Sequence, residues 1–117
     1  MELDITPLGG DTALLLTLNG RLDTAGVDRV EARFVAATAA SRKNVAVDLS
    51  GVSLITSMGL RQLISAARAM SQRQHRLVIF GAQGMVADVL ETSAIDTLMA
   101  VVPSRSEALD LLGLPGQ

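Results

Sequence analysis

The chain has 117 residues, 49 % of them hydrophobic, with a formal net charge of −2, no cysteine and only two aromatics, Phe34 and Phe80. That length supports one compact domain. The missing cysteines exclude disulfides and thiolate metal sites, and the acidic balance with so few stacking side chains argues against a nucleic-acid surface. No apolar run approaches the ~18 residues of a membrane span, and the N-terminus has neither a basic region nor an apolar core, so a cytoplasmic protein without membrane insertion is expected.

In chain order, residues 3–6 and 13–18 read as strands joined by a turn through Pro7, Gly9, Gly10 and Asp11, with Asn19-Gly20 ending the second. Asp23 or Thr24 can then cap a helix whose apolar positions are Val27, Val30, Phe34, Val35 and Thr38. Residues 45–49 form a strand apolar enough to be buried on both faces, as in a parallel sheet. The run then breaks into small polar residues before a helix over 57–72. Its buried face carries Leu60, Leu63, Ile64 and Ala67, while Arg61, Gln62, Ser65 and Arg68 fall outside that face. A strand over 76–80 follows, then a helix over 84–92 with Val86, Val89 and Leu90 inward, and a strand over 98–102. Ser104 and Glu107 have capping-box spacing and open a last helix with Ala108, Leu109, Leu111 and Leu112 on its apolar face. The predicted order is β-β-α-β-α-β-α-β-α, an α/β fold with a mixed, largely parallel sheet covered by helices. Residues 1–112 make the single domain and 113–117 read as a loose tail.

The candidate site is the junction where the central strand gives way to the helix at 57. Thr56 or Ser57 is the natural N-cap, because a short hydroxyl can accept a hydrogen bond from a first-turn N–H. The same N–H groups and the positive end of the helix dipole favour an anion. Gly59 would let another molecule's backbone come close. A phosphoryl group on the serine would add roughly −1.5 to −2 charge and three acceptor oxygens, changing the face shown to a partner without refolding the domain. The plainer role for such a serine is a helix cap. Asp48, read as the end of the central strand, is the carboxylate nearest this junction, and its plain role is to accept from loop N–H groups.

Catalytic chemistry is sparse. His75 is the only histidine and sits in a polar turn, so a hydrolase triad is hard to build, and no Walker loop or dinucleotide fingerprint occurs in a strand-to-helix context. Met58, Met70, Met85 and Met99 are expected to fill gaps or lie at contact edges. Neither an enzyme nor a cofactor is expected.

The segment from Asp48 to Leu60, DLSGVSLITSMGL, resembles the signature loop of STAS domains, the family of bacterial anti-sigma-factor antagonists, which typically read D-x-S-x-V-x-x-[ILM]-D-S-[ST]-G-L there. Leu18-Asn19-Gly20-Arg21-Leu22-Asp23 is similar to the family's L-x-G-x-L-D, and the likeness runs over nearly the whole chain. It implies a switch that works by binding and regulates transcription. The unmodified protein binds an anti-sigma factor that is also a serine kinase, phosphorylation of the loop serine breaks the complex, and a PP2C-type phosphatase resets it. By position the resemblance assigns the phosphoacceptor to Ser57, with Thr56 as the lesser candidate, and sets Asp23 and Asp48 at recurring positions near the loop. Two positions depart: Thr56 stands where the family has aspartate, and Met58 replaces a small hydroxyl residue. The expected partner surface comprises Asp23, Thr24, Asp48, Thr56, Ser57, Met58, Gly59, Arg61, Gln62 and Ser65, with Met58 as an exposed apolar contact. The alternative implied by the same fold is an accessory subunit of an ABC-type lipid-transport complex that binds its ATPase without a phosphorylation cycle. The sequence leaves the oligomeric state open.

Overall fold

The structure, a computed structural model, describes residues 1–114. Strands β1 (Glu2–Leu8) and β2 (Ala13–Leu22) form an antiparallel hairpin. Helix α1 (Thr24–Ala37), strand β3 (Asn44–Ile55), helix α2 (Ser57–Gln72), strand β4 (Leu77–Phe80), helix α3 (Gly84–Thr92), a 3-10 turn (Ile95–Thr97), strand β5 (Ala100–Val102) and helix α4 (Arg105–Leu111) follow. The sheet order is β1-β2-β3-β4-β5, and every pair from β2 onward is parallel. This is the α/β architecture expected from the pattern.

Strand order that steps one way across the sheet, combined with right-handed crossovers, leaves all three connecting helices on one face. The core divides accordingly. Leu16 and Leu18 of β2, Val45, Val47 and Leu49 of β3, and Leu77 and Ile79 of β4 are buried with residues of α1, α2 and α3. Their strand neighbours Leu15, Ala46, Val78 and Phe80 point the other way and pack with Ala108 and Leu109 of α4. Side chains alternate across a strand, so residues 45–47 of β3 and Leu77–Phe80 of β4, covered on both faces, must be apolar at every position, which is why they read as continuous runs. α1 is tied to the hairpin by Arg33, whose Nη1 donates to the Leu3 carbonyl at 2.7 Å. α4 opens with the Ser104 hydroxyl accepting from Glu107 N at 3.2 Å, as its capping-box spacing predicts. Among the described residues no helix is long and apolar enough to cross a membrane.

Several expectations are corrected. β2 does not end at Asn19-Gly20. It continues to Leu22 through register shifts at 17–19 and 20–21, with Gly20 at φ 118°, so the turn-like dipeptide serves a bulge. β3 likewise runs on to Ile55, paired with β2 through the stretch expected to be loop. Val35 lies outside the buried stripe of α1 and is 47 % exposed, and Leu111 is exposed on α4. Thr38 is buried as predicted, its hydroxyl donating to the Phe34 carbonyl at 2.7 Å. On α2 the fully buried stripe is Gly59, Leu63, Ala66, Ala67 and Met70, and Leu60 and Ile64 are half-buried at its flank. The strand expected over 98–102 keeps only Ala100–Val102, because the 3-10 turn takes the chain up to Thr97 and leaves Leu98 exposed. Of the methionines, Met70 and Met99 fill the core and Met85 is exposed. Of the tail expected over 113–117, Gly113 and Leu114 are held: Leu114 N donates to the Leu109 carbonyl and its side chain packs beside α4. Residues 115–117 lie outside the described residues.

Candidate functional site

Leu22 at the end of β2 lies opposite Ile55 at the end of β3, and each strand passes directly into a helix. Two helix N-termini therefore emerge side by side, each with first-turn N–H groups that the helix cannot pair and each at the positive end of a dipole. This brings Asp23 and Thr24 beside Thr56, Ser57 and Met58. The two ends are closed differently.

Asp23 caps α1. Its Oδ1 accepts from Gly26 N at 2.8 Å, and its Oδ2 lies 3.5 Å from Nε of Arg21. Thr56 holds the equivalent backbone position before α2, but its hydroxyl donates to the Leu22 carbonyl at 3.0 Å, and its N–H donates to the same oxygen at 3.1 Å. Among the described residues no side chain caps α2, and its first turn holds no acidic residue. The expectation that Thr56 or Ser57 caps the helix by accepting from an N–H is thus corrected. The strand-end carbonyl of Leu22 needs donors, and Thr56 supplies two. Ser57 is the first helical residue and is exposed.

Gly59 also has a different role from the one expected. It is buried, and a Cβ there would come 2.7 Å from the Leu22 carbonyl oxygen and 2.8 Å from the Leu22 side chain, so its missing side chain lets α2 sit against β2 rather than admitting another molecule. Met58 is half-buried against the main core instead of standing free. Arg61 and Ser65 are exposed. Asp48 does not join this group. It follows Ala46 on the α4 side of the sheet, pairs in register with Thr17 and Phe80, and accepts from Ser50 N at 2.9 Å through Oδ1. Its expected plain role of satisfying a nearby N–H is what it performs, inside a bulged strand rather than a loop.

Beside the start of α2, a groove of about 330 Å³ runs between α1 and α2, lined by Val27, Phe34, Val35, Met58, Arg61 and Gln62 among others. Both polar atoms of the Gln62 amide are buried, with no hydrogen-bond partner among the described residues. An unpaired buried amide is costly, so a group offering a donor or an acceptor there would be bound favourably. The α1 wall of this groove, Glu31 and Val35, was absent from the predicted surface. Its signal was present in the sequence: Val35 is one step beyond the Val27, Val30, Phe34 stripe, an apolar residue turned about 100° out of the core face.

The STAS domain family matches residues 5–108 of the chain. BtrV of Bordetella bronchiseptica, named as a candidate anti-sigma factor antagonist, is 30 % identical over 98 residues, 84 % of each chain. Among solved structures, a candidate anti-sigma factor antagonist from Thermotoga maritima superposes with a TM-score of 0.85 at 17 % identity, covering 95 % of this chain and 94 % of its own. The Bacillus cell fate determinant SpoIIAA in its phosphorylated form does so with a TM-score of 0.70 at 16 % identity, covering 94 % and 98 %. The overall fold is thus shared with these solved structures, and the chain belongs to the STAS domain family.

Proposed function

We propose that this protein is a cytoplasmic anti-sigma factor antagonist that acts by binding: unmodified, it holds a kinase-type anti-sigma factor through the starts of α1 and α2 and the groove between those helices. Phosphorylation of Ser57 breaks that complex, and a PP2C-type phosphatase restores it. The observation that carries the reading is the contrast between adjacent hydroxyls. Thr56 is engaged with Leu22, whereas Ser57 is exposed at the head of a helix that no side chain caps. Thr56 is therefore the poorer acceptor for a phosphoryl group. The name of the Bordetella relative supports the antagonist role, and the existence of a phosphorylated form of SpoIIAA supports a switch of this kind.

In this reading Asp23, Thr24, Met58, Arg61, Gln62 and Ser65 form the contact surface, Gly59 shapes it from beneath, and Asp48 takes no part. Gln62 gains hydrogen bonds when a partner's peptide enters the groove, and burial of the remaining exposed part of Met58 adds apolar contact.

Purification of the tagged protein from its native cells, with mass spectrometry of its partners and modifications, tests the proposal. A kinase-like anti-sigma factor and phosphate on Ser57 are expected. In binding assays with that partner, Ser57→Ala should hold the complex even when kinase and ATP are supplied, and Ser57→Asp should weaken it. An unmodified Ser57 with a transporter ATPase as the co-purifying protein would replace this reading with the ABC-type transport-subunit role.

A further inference from the structure

We propose that Arg61 is the counter-charge that receives a phosphorylated Ser57, closing an intramolecular phosphate–guanidinium pair on the exposed face of α2. The pairing rests on the reading of Ser57 as the phosphoacceptor, and it specifies what the modified surface becomes.

Ser57 is the first residue of α2 and Arg61 stands four residues on, the spacing at which side chains on a helix meet, with Cβ atoms about 5–6 Å apart. Both are exposed. The order also suits the helix, because an anion N-terminal to a cation at this spacing agrees with the dipole. Arg61 has a guanidinium fork that matches phosphate oxygens two at a time, and phosphate brings about −1.5 to −2 charge and three acceptors.

Arg61 is also uncommitted. The ion pairs among the described residues join Arg21 to Asp23 and Lys43 to Asp11, and no hydrogen bond from Arg61 accompanies them. The charged groups that could compete for it are few. Glu31, on the α1 side of the same groove, is a single carboxylate that makes no ion pair with Arg61. Asp23 is committed to Gly26 N and to Arg21. The first turn of α2 contributes no carboxylate. A dianion appearing at Ser57 therefore meets a cation with no stronger partner.

Arg61 lines the mouth of the groove, so the pair would remove a free positive charge from the proposed partner surface at the same moment as it adds phosphate. An aspartate at 57 would bring a single charge on a shorter arm, with two acceptor oxygens instead of three.

The test uses the full chain with phosphoserine encoded at position 57, so that no kinase is needed, and follows the phosphate by 31P NMR as pH is varied near its second ionisation at about 6. Pairing favours the dianion. Arg61→Gln should raise the midpoint by about half a pH unit, roughly a threefold change in proton affinity or about 0.7 kcal/mol, within the range of exposed ion pairs. Arg68→Gln removes the same charge eleven residues along α2, about 16 Å away and beyond the roughly 10 Å screening length of 0.1 M salt, and should leave the midpoint in place. A midpoint unmoved by Arg61→Gln, or moved equally by both substitutions, would overturn the proposal. Either result concerns Arg61 alone, whereas absence of phosphate from Ser57 in the native protein would overturn the switch and leave the pairing measurement standing.

Discussion

The starts of α1 and α2 are the same construction finished in two ways. Both follow parallel strands whose ends lie opposite each other, and both cap residues are extended, Asp23 at φ −97°, ψ −173° and Thr56 at φ −104°, ψ 177°. At α1 a carboxylate accepts from the first turn and is in turn met by Arg21, so the charges are settled within the protein. At α2 the side chain that could accept is used as a donor to β2 instead, which fixes the helix on the sheet and leaves its first turn open. Occupying the cap position and closing the helix are separate events. The first depends on backbone geometry and the second on which neighbour claims the side chain.

Four substitutions bear on this contrast. The largest effect is expected from Gly59→Ala, since the new methyl would meet the backbone oxygen of Leu22 and push α2 away from β2. A loss of about 1–3 kcal/mol should appear in chemical denaturation, and an unchanged midpoint would mean that α2 is not seated there. Asp23→Ala should cost about 1 kcal/mol by removing the cap of α1, and a negligible loss would make the two helix starts energetically alike. Thr56→Asp makes α2 resemble α1. A gain of up to about 1 kcal/mol is expected if the open turn is the weaker arrangement, whereas a net loss would show that the hydroxyl bond to Leu22 is worth more than a cap. Smallest is the stability effect of Ser57→Asp, a gain of about 0.3–1 kcal/mol that shrinks as salt is added, measured as the difference between melts at low and high ionic strength.

Much of the fold was legible because its helices are amphipathic and its inner strands are buried on both sides, two patterns that survive without tertiary information. Phe34 and Leu63 were placed correctly on this basis. The ends of β2 and β3 were not legible. Asn19-Gly20 and Ser50-Gly51 are turn formers by composition, and only the pairing of one bulged strand with the other keeps both extended. At the candidate site, the spacing that starts a helix at Ser57 was readable, and Asp23, whose carboxylate can only accept, was one of the two caps the sequence offered for α1, beside Thr24. The orientation of Thr56 was not, because a hydroxyl both donates and accepts and the choice is made by Leu22, 34 residues earlier. Asp48 was misassigned to the junction for a related reason: sequence proximity cannot tell which side of a sheet a residue faces once a bulge intervenes. Gln62 was recognised as lying off the core face, but the unpaired burial of its amide depends on the approach of α1 and has no local signature.

The two faces of the sheet also differ in how they are roofed. Three helices share one side, while the other depends on α4, seven residues held by the Ser104 cap, by Ala108 and Leu109, and by Arg76 donating to the Leu111 carbonyl at 3.0 Å. Such a short element adds little to global cohesion, so its amides should exchange with solvent deuterons by local detachment, well before those of β3. Each detachment briefly uncovers Val78 and Phe80, an apolar strip on an otherwise intact scaffold. The lifetime of that strip, more than the global melting point, would then set how readily the protein self-associates at high concentration.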